Sequence, residues 1–315
     1  MKSRVALILP WAGPLPWYYG LFEASVKNAG LDLVLIHESV SYFKERAEKA
    51  LNASVGLTTG YKLCDLRPMF GKIFAAELAG YDYWAFGDCD VVYGRKMADW
   101  IRKVTDGKWD VATSRADWVT GAFTLMRNCE KVNSLYERSP SWRAIVADPQ
   151  NHAFDEQGYM NWSVEVRRGV TTLEEQRRTH DSFGSVVWAA TDIRFLHEEV
   201  MCENGVACGE CVRMAADGEL TYDGREICAF HMFDAKQLLS FRGPRLAVSE
   251  VGAYTLAAGG YFPGTKISRA ATYWRKMVGT LAFACDWLVG KASARQRVHR
   301  VIRRVVLRRE RWWDV

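Results

Sequence analysis

The apolar positions of the first hundred residues fall into two alternating rhythms. Residues 5–9 (VALIL) are an unbroken apolar run, as expected of a strand covered on both faces. The turn-rich WAGPLP at 11–16 follows, then helical spacing over 17–28 that stops at Gly30, a natural left-handed end. Residues 31–37 (LDLVLIH) predict a second buried strand, which completes a βαβ unit whose crossover is right-handed. Helices are predicted over 41–53 and, around Pro68, over 66–79. Residues 81–86 (YDYWAF) form a third apolar strand that runs straight into Gly87-Asp88-Cys89-Asp90. A helix over 96–105 and strands over 109–113 and 121–126 (GAFTLM) come next. This order predicts an α/β fold, with a Rossmann-type, mostly parallel sheet flanked by helices. Such sheets receive ligands at the carboxyl ends of their strands.

The second half is more mixed. A helix is expected to begin near Phe154, with Asp155 and Glu156 in its first turn. Residues 219–233 (ELTYDGREICAFHMF) read as a hairpin around Asp223-Gly224. From Ser268 onward the spacing is helical. The expected division is a catalytic domain over 1–265 and a helical, basic, amphipathic extension over 266–315.

Composition adds little until it is divided along the chain. With 315 residues, 49% hydrophobic and 25% charged, the protein is ordinarily globular. The net charge of +5 hides an asymmetry. Residues 295–311 hold eight arginines against one acid, Glu310, so that segment carries +7 and the rest of the chain −2. The body is not basic, and no nucleic-acid partner is expected. The five-residue apolar run before Pro10 is short of the roughly 7–15 residues of a signal core. No stretch reaches the ~20 apolar residues of a membrane span. A cytoplasmic location with reduced thiols is expected.

Asp88-Cys89-Asp90 carries the chemistry. Two carboxylates one residue apart, just past a buried strand, suit Mg²⁺ or Mn²⁺, hard ions that prefer oxygen ligands. An ion held there offsets negative charge on a departing diphosphate. A solvated surface turn is the alternative for so short a pattern.

The stretch from Tyr61 to Gly94, YKLCDLRPMFGKIFAAELAGYDYWAFGDCDVVYG, resembles a family of bacterial GT-A glycosyltransferases associated with surface-polysaccharide synthesis. The matching positions are Lys62, Asp65, Arg67, Pro68 and Gly71, then Tyr81, Asp82, Trp84, Asp88 and Asp90. Weaker similarity continues through GAFTLMRN, Phe154-Asp155-Glu156 and the strand before His231, so it covers roughly residues 1–240. The resemblance implies a GT-A-like fold and a metal-assisted sugar transfer, from a UDP- or GDP-sugar to a saccharide or lipid-linked acceptor. It implies that Asp90 binds the metal and that Asp88 holds the ribose or the metal through water. Pro10 and Trp11 lie where such folds receive the nucleotide. Asp65 is expected to bind the nucleoside and Arg67 to face the diphosphate, unless Arg67 is a solvated charge at a helix start.

Such enzymes commonly add a late histidine to the metal shell, and His231 is the best placed of six, with His197 in reserve. An imidazole is an acceptable Mn²⁺ ligand, although a core histidine is the alternative. Asp155 and Glu156 are candidates for the carboxylate base of an inverting transfer, or are first-turn residues that favour the helix dipole. Cys202, Cys208, Cys211 and Cys228 contain one C-x₂-C pair but lack the second pair of a zinc site, so free thiols are expected.

In the tail, Val298, Val301, Ile302, Val305 and Val306 share one helical face, arginines cover the other, and Trp312-Trp313 follow. A basic amphipathic helix of this kind suits an anionic membrane surface contacted through residues 291–313. This gives a peripheral location on the inner face of the cell membrane. A helix docked on the body, or an RNA contact, are the alternatives. Two rival functions stand beside sugar transfer. One is a metal-dependent nucleotidyl- or phosphotransferase, disfavoured by the lack of a glycine-rich phosphate loop. The other is a non-enzymatic membrane- or nucleic-acid-binding protein acting through the tail.

Overall fold

A computed structural model describes residues 3–156, 181–202, 211–233, 246–257 and 260–264. Among these, the first sheet is built from β1 (Val5–Trp11), β2 (Asp32–His37) and β3 (Tyr83–Gly87), with three later strands. The next strand along the chain, β4 (Val91–Tyr93), belongs to a different sheet. β5 (Val111–Thr113), β6 (Phe123–Arg127) and β7 (Phe195–His197) complete the first, in the order β2-β1-β3-β6-β5-β7. The β1–β2, β1–β3 and β5–β7 pairs are parallel, and β6 alone runs antiparallel to its neighbours β3 and β5. The expected mixed α/β architecture with a mostly parallel central sheet is therefore present.

Strand period explains how this sheet fills both sides. On β1, Val5, Leu7 and Leu9 point into one apolar cluster and Ala6 and Ile8 into the other, because successive side chains face opposite ways. On β3, Tyr83 and Ala85 join the first cluster, Trp84 and Phe86 the second. The helix Lys96–Asp106 covers the first side with Met97, Trp100, Ile101 and Val104 buried, a spacing that makes one helical stripe. The helix Val40–Leu51 covers the second with Phe43, Ala47 and Leu51.

Two expectations are corrected. Residues 31–37 do form a strand, but β2 is the sheet's edge and its side chains are half-buried or exposed. Residues 66–79 are not one helix. Short turns of helix, Leu63–Leu66, Arg67–Met69 and Phe70–Ile73, replace it. Pro68 has no N–H to continue a helical ladder. Gly71 also passes so close to Asn133 that an added Cβ would lie 2.3 Å from its Oδ1.

Beyond the central sheet, β8 (Met201–Cys202), β9 (Val212–Met214), β10 (Leu220–Tyr222), β11 (Arg225–Glu226) and β12 (Ala229–His231) follow. The hairpin turn is present, with Asp223 and Gly224 both at positive φ (48° and 72°), the backbone a two-residue hairpin loop requires. The hairpin is shorter than expected, since β10 pairs with β11 while β12 leaves to pair with β4. β13 (Tyr254–Ala257) and β14 (Gly260–Pro263) extend β9–β11 into a five-stranded antiparallel sheet. β4, β12 and β8 form a separate three-stranded sheet. Among the described residues no helix is long and apolar enough to cross a membrane. Residues 266–315, including the whole basic extension, lie outside the described residues.

Candidate metal centre

Asp88, Cys89 and Asp90 form the turn that joins β3 to β4, so the acidic pair sits at a carboxyl end of the parallel sheet. The turn is fixed from both sides. Asp88 N–H donates to the carbonyl of Ala122, and Val91 N–H to that of Asp88. Gly87 runs so close to β6 that a Cβ there would lie 2.8 Å from the Ala122 carbonyl oxygen. Only a residue without a side chain allows that approach.

β12 supplies the third group. It lies antiparallel beside β4 with His231 opposite Val91, and Met232 N–H donates to the Asp90 carbonyl at 2.8 Å. The imidazole thereby reaches the acidic turn. Its Nε2 lies 3.4 Å from Asp90 Oδ1 and 3.6 Å from Asp88 Oδ2. Asp90 and His231 are buried, 2% and 5% exposed, and Asp88 is half-buried. The candidate ligand atoms of all three lie within 4.8 Å of one another. Octahedral ligands about 2.1 Å from a Mg²⁺-sized ion stand roughly 3 Å apart when adjacent and roughly 4.2 Å when opposite. The trio therefore fits one divalent ion, with two oxygen ligands and one nitrogen.

Arg67 ties this centre to a second acidic group. One guanidinium nitrogen pairs with Asp88; the other donates to Asp155 Oδ2 at 2.8 Å and to the Gly121 carbonyl at 3.0 Å. Gly121 N–H in turn donates to Glu156 Oε1 at 2.9 Å. Burial opposes the charge on Arg67, but the carboxylates of Asp88 and Asp155 outweigh it and hold the group well above its ordinary range. Arg67 is thus a permanent cation, half-buried among acids and not a solvated helix-start charge. Burial pushes Asp155 well above the usual carboxylate range against the opposing charge of Arg67. It raises Glu156 too, with the Gly121 N–H working the other way. Phe154, Asp155 and Glu156 lie in a turn, and the rest of the expected helix falls outside the described residues.

A cleft of about 830 Å³ opens beside this centre. Pro10, Trp11, Ala12 and Tyr18 line one end, Gly60, Tyr61, Cys64 and Arg67 one wall, and Asp88, Cys89 and Asp90 the floor. The expected positions of Pro10, Trp11, Arg67, Asp88 and Asp90 thus converge on one cavity.

Asp65 does not join them. It is fully buried, accepting from Lys62 Nζ (2.7 Å) and from the backbone N–H groups of His152 (2.9 Å) and Phe154 (2.7 Å). Its oxygens hold the turn that carries Asp155, so the nucleoside contact expected of it is replaced by an architectural one. The Lys62-x-x-Asp65 spacing, one turn apart on a helix, is the signal that marks this pair in the sequence. His197 is also elsewhere: its Nδ1 lies 2.7 Å from the Ala116 carbonyl on the far edge of the sheet. Among the described residues, Cys202, Cys211 and Cys228 are free thiols and form no three-ligand group; Cys208 falls outside them. Tyr61 and the backbone of Gly121 were not singled out from the sequence, and only the folded wall reveals them.

Residues 7–236 match the model of a family of unknown function, DUF6625, and the chain belongs to that family. The matched span closely follows the stretch over which the GT-A resemblance runs. No protein of curated function matches the chain. A solved glycosyltransferase involved in the glycosylation of the major capsid of PBCV-1 is similar over 73% of this chain and 93% of its own. It shares 11% identity with a TM-score of 0.39, too loose a superposition to transfer any property to this chain.

Proposed function

We propose that the protein is a glycosyltransferase that moves a sugar from a nucleoside-diphosphate sugar to a saccharide or lipid-linked acceptor with the help of a divalent ion. The observation that carries this reading is the Asp88–Asp90–His231 trio, whose two carboxylates line a cleft that Arg67 also lines. Mn²⁺ or Mg²⁺ suits two carboxylates and an imidazole. Such an ion supplies positive charge where a departing nucleoside diphosphate becomes negative.

The chain's own residues do the rest. Pro10 and Trp11 bound the end of the cleft that takes the nucleoside of a UDP- or GDP-sugar. Arg67 contributes a fixed cation toward the diphosphate, held in place by Asp88, Asp155 and the Gly121 carbonyl. Preorganised charge of this kind acts without reorganising as the reaction proceeds. Asp155 and Glu156 are proposed to serve the acceptor. Two buried, neighbouring carboxyls resist ionising together, so the pair is suited to accept the acceptor hydroxyl's proton.

The basic segment 291–313 is proposed to rest on an anionic membrane surface, at about 1 kcal/mol per basic residue near the lipid. That contact would place the enzyme beside a lipid-linked acceptor. Unchanged liposome binding after deletion of residues 291–315 would remove this part of the reading.

The test of the activity is hydrolysis of UDP- and GDP-sugars by purified protein with Mn²⁺ or with EDTA. Metal-dependent release of the nucleoside diphosphate, lost in Asp90→Asn, is the expected result. Release of a nucleoside monophosphate and a sugar 1-phosphate would favour a nucleotidyltransferase instead. No turnover of any donor with metal present would contradict both.

A further inference from the structure

Tyr61 is 73% exposed, the most exposed of the large hydrophobic side chains picked out among the described residues, yet it lines the cleft. Its backbone is fixed on both sides although its ring is open. Gly60 lies against Ala12, with an added Cβ only 3.4 Å from the Ala12 Cβ and carbonyl oxygen, and Asn151 Nδ2 donates to the Tyr61 carbonyl at 3.4 Å. An anchored backbone holding an open aromatic ring against a cleft is the arrangement of a stacking platform.

The wall also has a direction. It runs as consecutive helical turns from Gly60–Lys62 through Leu63–Leu66 to Arg67–Met69. Its Gly60 end touches the carboxyl end of β1 at Ala12, and its Arg67 end touches Asp88. Six residues of such backbone span roughly 10 Å. A nucleoside diphosphate is extended over a comparable length, with charge at one end and a planar ring at the other. If the diphosphate lies at Arg67 and the Asp88–Asp90 floor, the ring end falls beside Tyr61.

We infer that Tyr61 is the stacking platform for the nucleobase of the donor, with Arg67 and the acidic floor marking the diphosphate end of the same wall. The inference rests on the proposed nucleoside-diphosphate reading and deepens it. Stacking accepts the π-face of any base, so Tyr61 contributes affinity while base choice is left to groups at the ring's edge.

The experiment is calorimetric titration of wild type, Tyr61→Phe and Tyr61→Ala with Mn²⁺ alone, with Mn²⁺ and pyrophosphate, and with Mn²⁺ and UDP or GDP. Tyr61→Ala is expected to weaken nucleoside-diphosphate binding about tenfold or more. Its Mn²⁺ and pyrophosphate affinities should stay within about twofold of wild type, and Tyr61→Phe should bind as wild type. Equal nucleotide affinity in wild type and Tyr61→Ala overturns the inference while leaving the proposed function standing. Equal loss of pyrophosphate and nucleotide also overturns it, because Tyr61 would then support the wall and not the base. If wild type binds no nucleoside diphosphate in the presence of Mn²⁺, the functional reading fails first and this inference fails with it.

Discussion

The ring Nε2 of His231 lies 3.4 Å from Oδ1 of Asp90, and one strand pairing puts it there. β12 leaves its hairpin and lies along β4, so the last residue of β12 faces the first residue after the acidic turn. An imidazole nitrogen from late in the chain is thereby brought beside two carboxylates from early in it. The geometry makes the metal centre depend on the three-stranded sheet as much as on the Asp88–Asp90 turn.

The buried Lys62–Asp65 pair is predicted to be a main support of the site's acidic turn. Lys62 is 1% exposed and its Nζ also donates to the carbonyls of Ile145 (2.7 Å) and Gln150 (2.6 Å). Removing one member leaves the other charge buried without its partner, which costs about 3–5 kcal/mol. Lys62→Met should therefore lower the unfolding free energy obtained from urea titration by that amount. A shift under about 1 kcal/mol would mean that water readily replaces the ammonium.

Gly121→Ala tests the link between the two acidic groups. An added Cβ would lie 2.5 Å from an Arg67 guanidinium nitrogen, 2.5 Å from Asp155 Oδ2 and 3.1 Å from Glu156 Oε1. These side chains must move apart by several tenths of an ångström. Misplacement of catalytic groups on this scale costs up to about 100-fold in rate. Donor turnover should fall by that order while the melting temperature changes little; unchanged turnover would show that the Arg67–Asp155 contact does not matter to it.

Asp110 gives a pH dependence outside the site. Its carboxylate accepts from Lys131 Nζ at 2.9 Å and from Arg194 N–H at 3.1 Å, and Arg127 stands 3.7 Å away. Burial alone would raise its pKa, but these donors and charges outweigh it and hold the group below the ordinary value. A depressed folded pKa stabilises the protein above the unfolded value of about 3.9. That contribution is lost as pH falls through the folded value. Asp110→Asn should thus destabilise by about 2 kcal/mol at pH 7, and the gap to wild type should narrow below about pH 4. Urea titrations at pH 7 and pH 3 measure it; a gap independent of pH would assign the effect to packing.

The fold was legible where one element's own pattern decides it. The apolar run of β1 and the YDYWAF stretch before Asp88-Cys89-Asp90 need both faces covered, and each became a central strand. Position within the sheet was less visible. LDLVLIH reads as apolar as β1, yet β2 is an edge, because order depends on pairings between distant segments. The interruption near Pro68 was only half visible, since Pro68 is local but the approach of Gly71 to Asn133 is not. At the site, Asp88 and Asp90 were marked by their place after a strand. Asp65 was misassigned because its partners, the N–H groups of His152 and Phe154, come from a loop far along the chain. Tyr61 gave no local signal, since an open ring and a packed ring look alike in sequence.

The central claim is that Asp88, Asp90 and His231 together hold one divalent ion. Its most direct test is Mn²⁺ titration followed by electron paramagnetic resonance, on wild type, Asp90→Asn and His231→Ala. The account predicts one tight site per chain in wild type, at least tenfold weaker binding in His231→Ala, and no specific site in Asp90→Asn. Equal Mn²⁺ binding by all three proteins, or none by wild type, would contradict it.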